Sequence, residues 1–514
     1  MAERTRECFQ PPIQEPTRRT GTKSTSMREQ APRVRIMSGF AQHLSSHKHA
    51  LVAFLLPLIV YGLALRENSV EAHFLNVATQ YALWTTGSPS LGSVGHPLLR
   101  SIATDVDTVI SNGQYYSAYA PGFSWLSLPF GIVGFLLNGG SLEYNSYAIL
   151  TDEAFVALCA ALSALVVYRI CRMYAPPATS LLSSLTLSFG TIVWPFATAL
   201  FEHDVAMLFS ALGVYFVLEL SRTEDRTNKR YLLSAAAGAS IAVSSTIEYL
   251  SALLIVPLLA FLIYRRRVSF HSGVVLVLSF IPGPVLDLAY NLSVTGNSLV
   301  FPEDLLPSAH GQIALSRFEF SQLLTVPIYN LLSPYRGLFL ISPVLIVGAY
   351  GLFRMYRSGR FRSESILFLG LFLFGLFPYS AWTSWQGGYS FGPRFLIDVI
   401  PYLVIPISYA LSESSSRNTR VTLGLFFPLF LLSSFIEGAA AFTSAEPIEQ
   451  FSLIFYQPMQ QSIPWLFQNN LDAWWFRFHP SFSLVIVPAC FVLIWIVILR
   501  LVSSKSLTRV STTA

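Results

Sequence analysis

Long apolar runs recur along most of the 514-residue chain, separated by short polar turns. Most are 16 to 23 residues long, enough for a helix to cross about 30 Å of hydrocarbon. The pattern therefore predicts an all-α, polytopic membrane protein. The thirteen segments lie near residues 50–65, 122–137, 147–168, 179–200, 204–220, 231–247, 249–264, 272–290, 337–353, 365–381, 395–412, 421–441 and 482–500.

One of these segments, 122–137, is interpreted as an interfacial or re-entrant helix. It is short for a span, and Pro and Gly interrupt its first half. Counting it as a span would also place the basic turn at Arg169 and Arg172 on the wrong side of the membrane. About twelve transmembrane helices, within a range of 11 to 13, are predicted.

The basic residues orient this topology. With twelve spans, 27 of the 33 Lys and Arg residues fall on the side of the N-terminal tail, which predicts cytoplasmic N- and C-termini. The longer connections 66–146, 291–336, 382–394 and 442–480 then face outward, and the active site is expected on that extracytoplasmic side. Six arginines remain there: Arg66, Arg100, Arg317, Arg336, Arg394 and Arg477.

Composition separates the membrane domain from two tails. Residues 1–49 carry nine Lys and Arg among Ser, Thr, Pro and Gln, which predicts a disordered basic cytoplasmic tail drawn to membrane lipid. A multi-pass transmembrane domain is predicted over 50–502, and a cytoplasmic C-terminal tail over 503–514. The chain is 53% hydrophobic and only 12% charged, which excludes an ordinary cytosolic enzyme. Nucleic acid is not an expected partner.

The acidic residues lie mostly outside on this topology, 19 of 28 by our count. An acidic outer vestibule with a few arginines fits a binding site better than a pore. The sequence contains no Cys-x-x-Cys, no His-Glu-x-x-His and no phosphate-binding Walker loop. No metal ligands are therefore assigned, and ATP hydrolysis by this chain is not expected.

The first candidate site follows the first span. Glu71 and His73 stand at the expected outer membrane edge, where a lipid headgroup meets water. A carboxylate there can act as a general base towards an acceptor hydroxyl. The alternative is a solvated Glu beside an interfacial His.

The same outer loop continues with further polar candidates. Asp105 and Asp107 form an Asp-x-Asp motif, which could bind a divalent metal ion or arise by chance. The tyrosines next to Pro121-Gly122 could order the loop or stack on a ligand. The binding candidates of this loop are His96, Arg100, Tyr115 and Tyr116.

A short outer turn between two predicted spans contains His203 and Asp204. Asp204 could hold the His203 imidazole in one tautomer, or either side chain could bind a ligand hydroxyl. An ordinary helix cap is the alternative.

Two outer arginines are candidates for binding an anion. Arg336 and Arg394 each stand at an outer membrane edge beside Gly, Pro and aromatic residues. A phosphate clamp needs a guanidinium fork with room for close approach. The alternative is snorkelling to the membrane surface.

At these residues the chain resembles the lipid-carrier-dependent glycosyltransferases of the GT-C superfamily, especially the protein O-mannosyltransferase and aminoarabinose-transferase-like branch. Glu71–Phe74 is similar to the acidic-x-His-Phe stretch of the mannosyltransferases. Segments 113–122 and 333–338 look like segments of prokaryotic members. The likeness in layout covers roughly residues 50 to 410.

The resemblance implies an inverting transfer of a sugar from a polyprenyl-phosphate donor to a glycan, lipid or protein acceptor. The essential first-loop acid of the family maps to Glu71, while Arg336 or Arg394 would stabilise the leaving lipid phosphate. Val70 stands where the mannosyltransferases have an Asp before the Glu, which leaves the sugar and the acceptor open.

Two alternatives are retained. Acidic residues within or beside spans, at Asp152, Glu153, Asp287, Asp398 and Glu437, are also typical of a multi-pass transporter or lipid-linked-sugar flippase. A related lipid-linked transferase that moves a phosphoryl group or a whole glycan would use the same outer vestibule.

Overall fold

The computed structural model describes residues 31–66, 71–94, 107–142, 147–223, 228–265, 270–306, 318–388, 390–412, 416–443, 454–477 and 479–503. Residues Lys48–Ala514 form one compact unit. Met1–His47 form a second unit, in which the described residues are helical. The predicted tails 1–49 and 503–514 fall largely outside the described residues.

The first part of the compact unit contains two helices of the predicted outer loop. These two helices are α2, Glu71–Thr86, and α3, Gly122–Leu137; helix α1, Ala31–Ala64, precedes the loop. The helix predicted at 122–137 is confirmed, and its interfacial or re-entrant placement stays a prediction. A β-hairpin between α2 and α3 was not predicted; its strands are β1, Thr108–Ser111, and β2, Gln114–Ser117. Asn112 and Gly113 make its turn with φ of 51° and 74°, as a two-residue type I′ loop requires.

The remaining helices form the bundle. They are α4 (Tyr147–Cys171), α5 (Pro177–Phe189), α6 (Val193–Phe196), α7 (His203–Arg222), α8 (Asn228–Ile247), α9 (Ile255–Arg265), α10 (Phe270–Phe280), α11 (Pro282–Thr295), α12 (Val326–Leu332), α13 (Leu338–Ile341), α14 (Leu345–Arg357), α15 (Arg362–Ala381), α16 (Pro401–Ser412), α17 (Ser416–Phe442), α18 (Ile463–Phe467) and α19 (Ser483–Ser503). Short 3-10 segments at Tyr249–Leu254 and Arg394–Val399 precede α9 and α16.

Seven helical segments among the described residues are long and apolar enough to cross a membrane: His47–Ala64, Tyr147–Cys171, His203–Arg222, Phe270–Thr295, Arg362–Ala381, Arg420–Phe442 and Ser483–Leu501. The prediction of a multi-pass, predominantly helical membrane protein is confirmed. The number of twelve spans stays a prediction.

Several of the predicted apolar segments are interrupted in the structure. The first helix of segment 179–200 ends at Phe189, with Gly190 as its C-cap, and 337–353 breaks at Ser342. Segment 272–290 is divided into α10 and α11, and 249–264 and 395–412 begin as 3-10 turns. Proline contributes to some of these breaks, because it cannot donate the backbone hydrogen bond that a continuing helix needs. Pro343 follows the break in 337–353, and Pro401 begins α16.

Helices of the bundle approach closely at small residues. A Cβ on Gly238 of α8 would lie 2.1 Å from the carbonyl oxygen of Leu276 in α10, and one on Gly348 of α14 would lie 2.1 Å from that of Leu403 in α16. Such contacts are typical of membrane helix interfaces, where small residues let backbones meet. Helix α7 packs between α8 and α4 at the centre.

The ends of several helices converge around His203. The Arg66 side chain, just after α1, donates hydrogen bonds to the carbonyl oxygens of Pro195 (3.1 Å) and Ala440 (2.8 Å). The backbone of Trp474 donates to Leu65 (2.7 Å). The ends at Ala64, His203, Ile247, Ala381 and Phe442 are called the His203 end below. The opposite end of these helices carries Arg222 and Arg265 and is called the Arg222 end.

Candidate active site

A cluster of two carboxylates and one imidazole lies at the His203 end. His203 begins α7, and Glu248 follows α8 in an extended conformation. His203 Nδ1 is 2.8 Å from Glu248 Oε1. One ligand atom each of Glu202, His203 and Glu248 lies within 4.8 Å of the others. These three side chains therefore converge on one point.

The cluster is largely withdrawn from solvent. Glu202 is 7% exposed, His203 3% and the Glu248 side chain 14%. Among the described residues, His203 Nε2 has no hydrogen-bond partner. Because a buried polar atom without a partner is costly, this nitrogen is the natural contact for a ligand.

Aromatic side chains form one wall of the cluster. Tyr379, near the end of α15, donates a hydrogen bond to Glu248 Oε2 (3.2 Å). Its ring stacks on Phe395 with centroids 5.0 Å apart and an interplanar angle of 3°. Phe395 in turn meets the His203 ring edge-on at 5.7 Å. The wall fixes Glu248 and His203 from the side of α15.

Arg394 supplies positive charge beside this wall. Its guanidinium carbon lies 5.6 Å from the Phe201 ring centroid and 5.0 Å from that of Phe395. The Arg394 side chain packs against Gly387, because a Cβ added at Gly387 would lie 2.9 Å from Arg394 Nε. Within the described part of the chain, Arg394 makes no ion pair with a carboxylate. The half-buried guanidinium is therefore free to meet an anion.

The β-hairpin brings Asp107 to the same region. Tyr119 donates a hydrogen bond to Asp107 Oδ2 (2.8 Å). Burial raises the pKa of Tyr119 well above its usual value, the negative charges of Asp107 and Glu202 add to this, and Arg394 opposes it. The Tyr119 phenol therefore lies within electrostatic reach of both Glu202 and Arg394. Of the two aspartates in the Asp-x-Asp motif, Asp107 is placed near the cluster.

The structure places the other predicted residues of the first outer loop differently. Glu71 and His73 form the first turn of α2, and only their backbone is described. Tyr115 packs beside Gly92 and the hydrophobic cluster around α2, whereas Tyr116 lies within electrostatic reach of Tyr290. The predicted residues His96, Arg100 and Asp105 lie outside the described residues.

Asp204 does not hold the His203 imidazole. Its side chain is fully buried, and neither carboxylate oxygen has a hydrogen-bond partner among the described residues. It acts electrostatically on Tyr61 and Cys159, on the side of α7 that faces α1 and α4. Glu248 takes the predicted place of Asp204, because α8 returns antiparallel to α7 and ends beside its first turn.

Arg336 is buried in a different environment from Arg394. It is 1% exposed, and its guanidinium donates to the carbonyl oxygens of Gly388, Ser390 and Gly392. Tyr335 lies under it, with the ring centroid 4.4 Å from the guanidinium carbon. Contact of Arg336 with a phosphate stays a prediction.

Two members of the site were missed by sequence reasoning. In the sequence, Glu248 is only one of the 19 outer acidic residues, and Tyr379 is not among the predicted site residues. Both stand at the outer end of a predicted span, as Glu71 does. A polar side chain at the outer end of a predicted span is therefore the sequence signal for both residues.

Comparisons with known proteins agree with this architecture. Residues 153–283 match the family model described as dolichyl-phosphate-mannose-protein mannosyltransferase. A search of curated proteins gave no significant match. The matched region runs from α4 into α11 and contains Glu202, His203 and Glu248.

Solved structures share the fold at low sequence identity. The structure of ArnT from Cupriavidus metallidurans bound to undecaprenyl phosphate aligns with a TM-score of 0.51 and 16% identity, covering 89% of this chain and 76% of that chain. An oligosaccharyltransferase from Archaeoglobus fulgidus in the apo form aligns with a TM-score of 0.51 and 10% identity, covering 79% of this chain and 57% of that chain. The predicted resemblance is confirmed: the chain is a multi-pass membrane protein with the fold of the GT-C glycosyltransferases.

Proposed function

We propose that this chain is a membrane glycosyltransferase that moves a sugar from a polyprenyl-phosphate donor to an acceptor at the extracytoplasmic face. The observation that carries the proposal is the convergence, within a GT-C fold, of buried carboxylates and an imidazole beside the guanidinium of Arg394. The family match to mannosyltransferases and the undecaprenyl phosphate in the ArnT structure support a lipid-phosphate donor. Neither comparison supports the transporter or flippase alternative.

Arg394 would stabilise the leaving group. When the bond between sugar and phosphate breaks, negative charge accumulates on the lipid phosphate. A guanidinium can bind two phosphate oxygens at once, and charge preorganised in a water-poor site is worth several kcal/mol. The rings of Phe201 and Phe395 pack against the guanidinium and stabilise it without neutralising its charge.

Glu71 would act as the general base. The resemblance assigns it this role, and α2 begins with it. The next turn of α2 is anchored, because Phe74 belongs to the same buried cluster as Leu200 and Val205, which flank the 201–204 turn. A carboxylate carried on this helix is suited to take the proton of an acceptor hydroxyl as the sugar is transferred.

A divalent cation fits the Glu202–His203–Glu248 cluster. Two carboxylate oxygens and one imidazole nitrogen can converge on one ion, and this ligand set suits Zn²⁺ or Mn²⁺. A bound cation would add positive charge close to Arg394, where the phosphate is proposed to lie. Asp107, held by Tyr119, is available as a further acidic contact.

The orientation of the site rests on charge. The Arg222 end carries the basic turns, and the His203 end carries the candidate site. By the positive-inside rule, the His203 end faces away from the cytoplasm.

The test is release of free polyprenyl phosphate from a panel of polyprenyl-phospho-sugars, with membrane extract as the acceptor source. Glu71→Gln removes the proposed base and should lower turnover by about 10² to 10⁴. Arg394→Ala removes the proposed clamp and should cost about 10² to 10³. Glu219→Gln and Arg222→Ala change matched residues at the other end of α7 and should retain turnover.

Each result decides something specific. Turnover with one donor that is lost only in the two site variants supports the transferase and both roles. Folded protein that turns over no donor would overturn the proposal, and flux of a lipid-linked sugar in proteoliposomes would then establish the flippase alternative.

A further inference from the structure

All four terminal N–H groups of Arg336 are already used within the protein. Nη1 donates to the carbonyl oxygens of Ser390 and Gly392 (2.9 Å for the latter). Nη2 donates to the carbonyl oxygen of Gly388 (2.8 Å) and to the hydroxyl of Tyr335 (3.1 Å). A guanidinium has five N–H donors, so only the buried Nε–H remains. A two-pronged contact with a phosphate would require breaking these bonds.

The three carbonyl groups belong to one loop, called the 387–392 loop, of which the structure describes 387–388 and 390–392. Gly387, Gly388 and Gly392 have φ of +70°, +62° and +60°, a region that glycine enters without the penalty of a side chain. Within the loop, the Ser390 hydroxyl donates to the Gly387 carbonyl (3.0 Å). Most of the described polar contacts that fix the loop from outside therefore come from Arg336.

This loop contacts Arg394 at both of its ends. The Arg394 backbone N–H donates to the Gly392 carbonyl (3.1 Å), which also accepts from Arg336. The Arg394 side chain rests against Gly387 at the other end of the loop. A shift of the 387–392 backbone would move the guanidinium away from Phe201 and Phe395.

Arg336 keeps its charge in this position. Burial lowers the pKa of Arg336 to about 10, the hydroxyl of Tyr335 counteracts this, and the nearby charge of Arg394 lowers it further. At neutral pH the side chain is still protonated and keeps all its donors.

We infer that Arg336 is a positioning residue: it clamps the 387–392 loop so that Arg394, rather than Arg336 itself, meets the donor phosphate. The functional part of this inference rests on the proposed function, because the phosphate contact of Arg394 belongs to it. The clamp itself stands on the contacts of Arg336 alone.

Hydrogen exchange of the purified full-length protein tests the clamp without using activity. In Arg336→Lys, one ammonium cannot span three carbonyl groups as the planar fork does. The amides of Gly387 and Arg394, which are hydrogen-bonded in the structure, should exchange at least tenfold faster. Ser390→Ala, a milder change, should accelerate them less.

Arg66→Lys is the matched control. Arg66 is also buried and also donates to carbonyl oxygens, but to those of Pro195 and Ala440. It should leave exchange in the 387–394 peptide unchanged. Unchanged exchange in Arg336→Lys, with the fold intact by thermal melting, would overturn the clamp.

Turnover of the double variant tests whether Arg336 acts through Arg394. Arg336→Lys alone should lower turnover by tenfold or more, but on the Arg394→Ala background it should change turnover by less than threefold. Losses that multiply would show that Arg336 acts independently, which overturns the positioning role. Full turnover in Arg394→Ala would overturn the proposed role of Arg394, while the exchange result would still decide on the clamp.

Discussion

His203 Nδ1 lies 2.8 Å from Glu248 Oε1, and this pair orients the imidazole of the candidate site. With Nδ1–H donated to the carboxylate, the imidazole is held in one orientation and presents Nε2 to the site. That nitrogen is buried and has no partner among the described residues. The arrangement leaves one imidazole nitrogen for a ligand or a metal ion.

We expect Glu248→Ala to lower turnover by about 10- to 100-fold, because it removes the carboxylate that orients the His203 imidazole. Tyr379→Phe removes only the hydroxyl bonded to the other Glu248 oxygen and keeps the stacking on Phe395, so a loss below about threefold is expected. Kinetics with a saturating donor measure both. Equal losses in the two variants would contradict the view that the Glu248–His203 bond is the important one.

We expect the purified protein to bind one Zn²⁺ or Mn²⁺ ion at the Glu202–His203–Glu248 cluster. Substitution of a ligand, in His203→Ala or Glu202→Gln, should weaken binding by at least about 10- to 100-fold in a calorimetric titration. Glu219→Gln, a carboxylate change at the other end of α7, serves as the control. Binding that is equal in all four proteins would exclude this cluster as the metal site.

The sequence predicts the long helices well and their interruptions poorly. Hydropathy located α4 and α7 to within three residues at each end, because each is a continuous apolar run. The same reasoning hid the end of α5 at Phe189 and the break at Ser342, since one polar or small residue hardly interrupts a long apolar run. The hairpin was missed although Asn112-Gly113 between alternating residues is a strong turn signal.

The candidate site was only partly predictable for a different reason. His203 is notable in sequence because it stands in a short turn of titratable residues, and Arg394 because few basic residues lie on the outer side; the structure brings both together. Their partners Glu248 and Tyr379 belong to other helices, and nothing local in the sequence says which helix ends meet. The same holds for Arg336, whose carbonyl partners lie more than fifty positions away.

We expect Gly387→Ala to damage function more than stability. A Cβ there would lie 2.9 Å from Arg394 Nε and 3.0 Å from Cγ, so the arginine must move. Gly359→Ala is the control: it has the same φ of +70°, with nothing within 4 Å of a Cβ. Each substitution should lower the free energy of unfolding by about 1–2 kcal/mol, because alanine is strained in the left-handed backbone conformation. Only Gly387→Ala should lose turnover, by tenfold or more.

Thermal melting and turnover of these two alanine variants separate strain from displacement. If Gly359→Ala lost as much turnover as Gly387→Ala at a similar melting temperature, backbone strain alone would account for the effect. The packing of Arg394 against Gly387 would then have no effect on turnover.

We expect Gly131→Ala to loosen the attachment of α2, the helix that begins with Glu71. Gln80 Nε2 donates to Asp152 Oδ2 and to Ser127 Oγ, both at 2.6 Å, and so ties α2 to α4 and α3. A Cβ on Gly131 would lie 1.8 Å from Gln80 Oε1, so the amide must leave this position. Overpacking of this kind costs about 1–3 kcal/mol.

Gly424→Ala in α17, where a Cβ meets nothing within 4 Å, is the matched control and should be neutral or slightly stabilising, because alanine favours a helix. Gly131→Ala should lower both the melting temperature and turnover, since displacement of α2 carries the proposed base with it. A lower melting temperature with full turnover would show that the Gln80 contacts stabilise the fold without positioning Glu71. That outcome would contradict the proposal that α2 positions the general base, because turnover would then not depend on how α2 is attached.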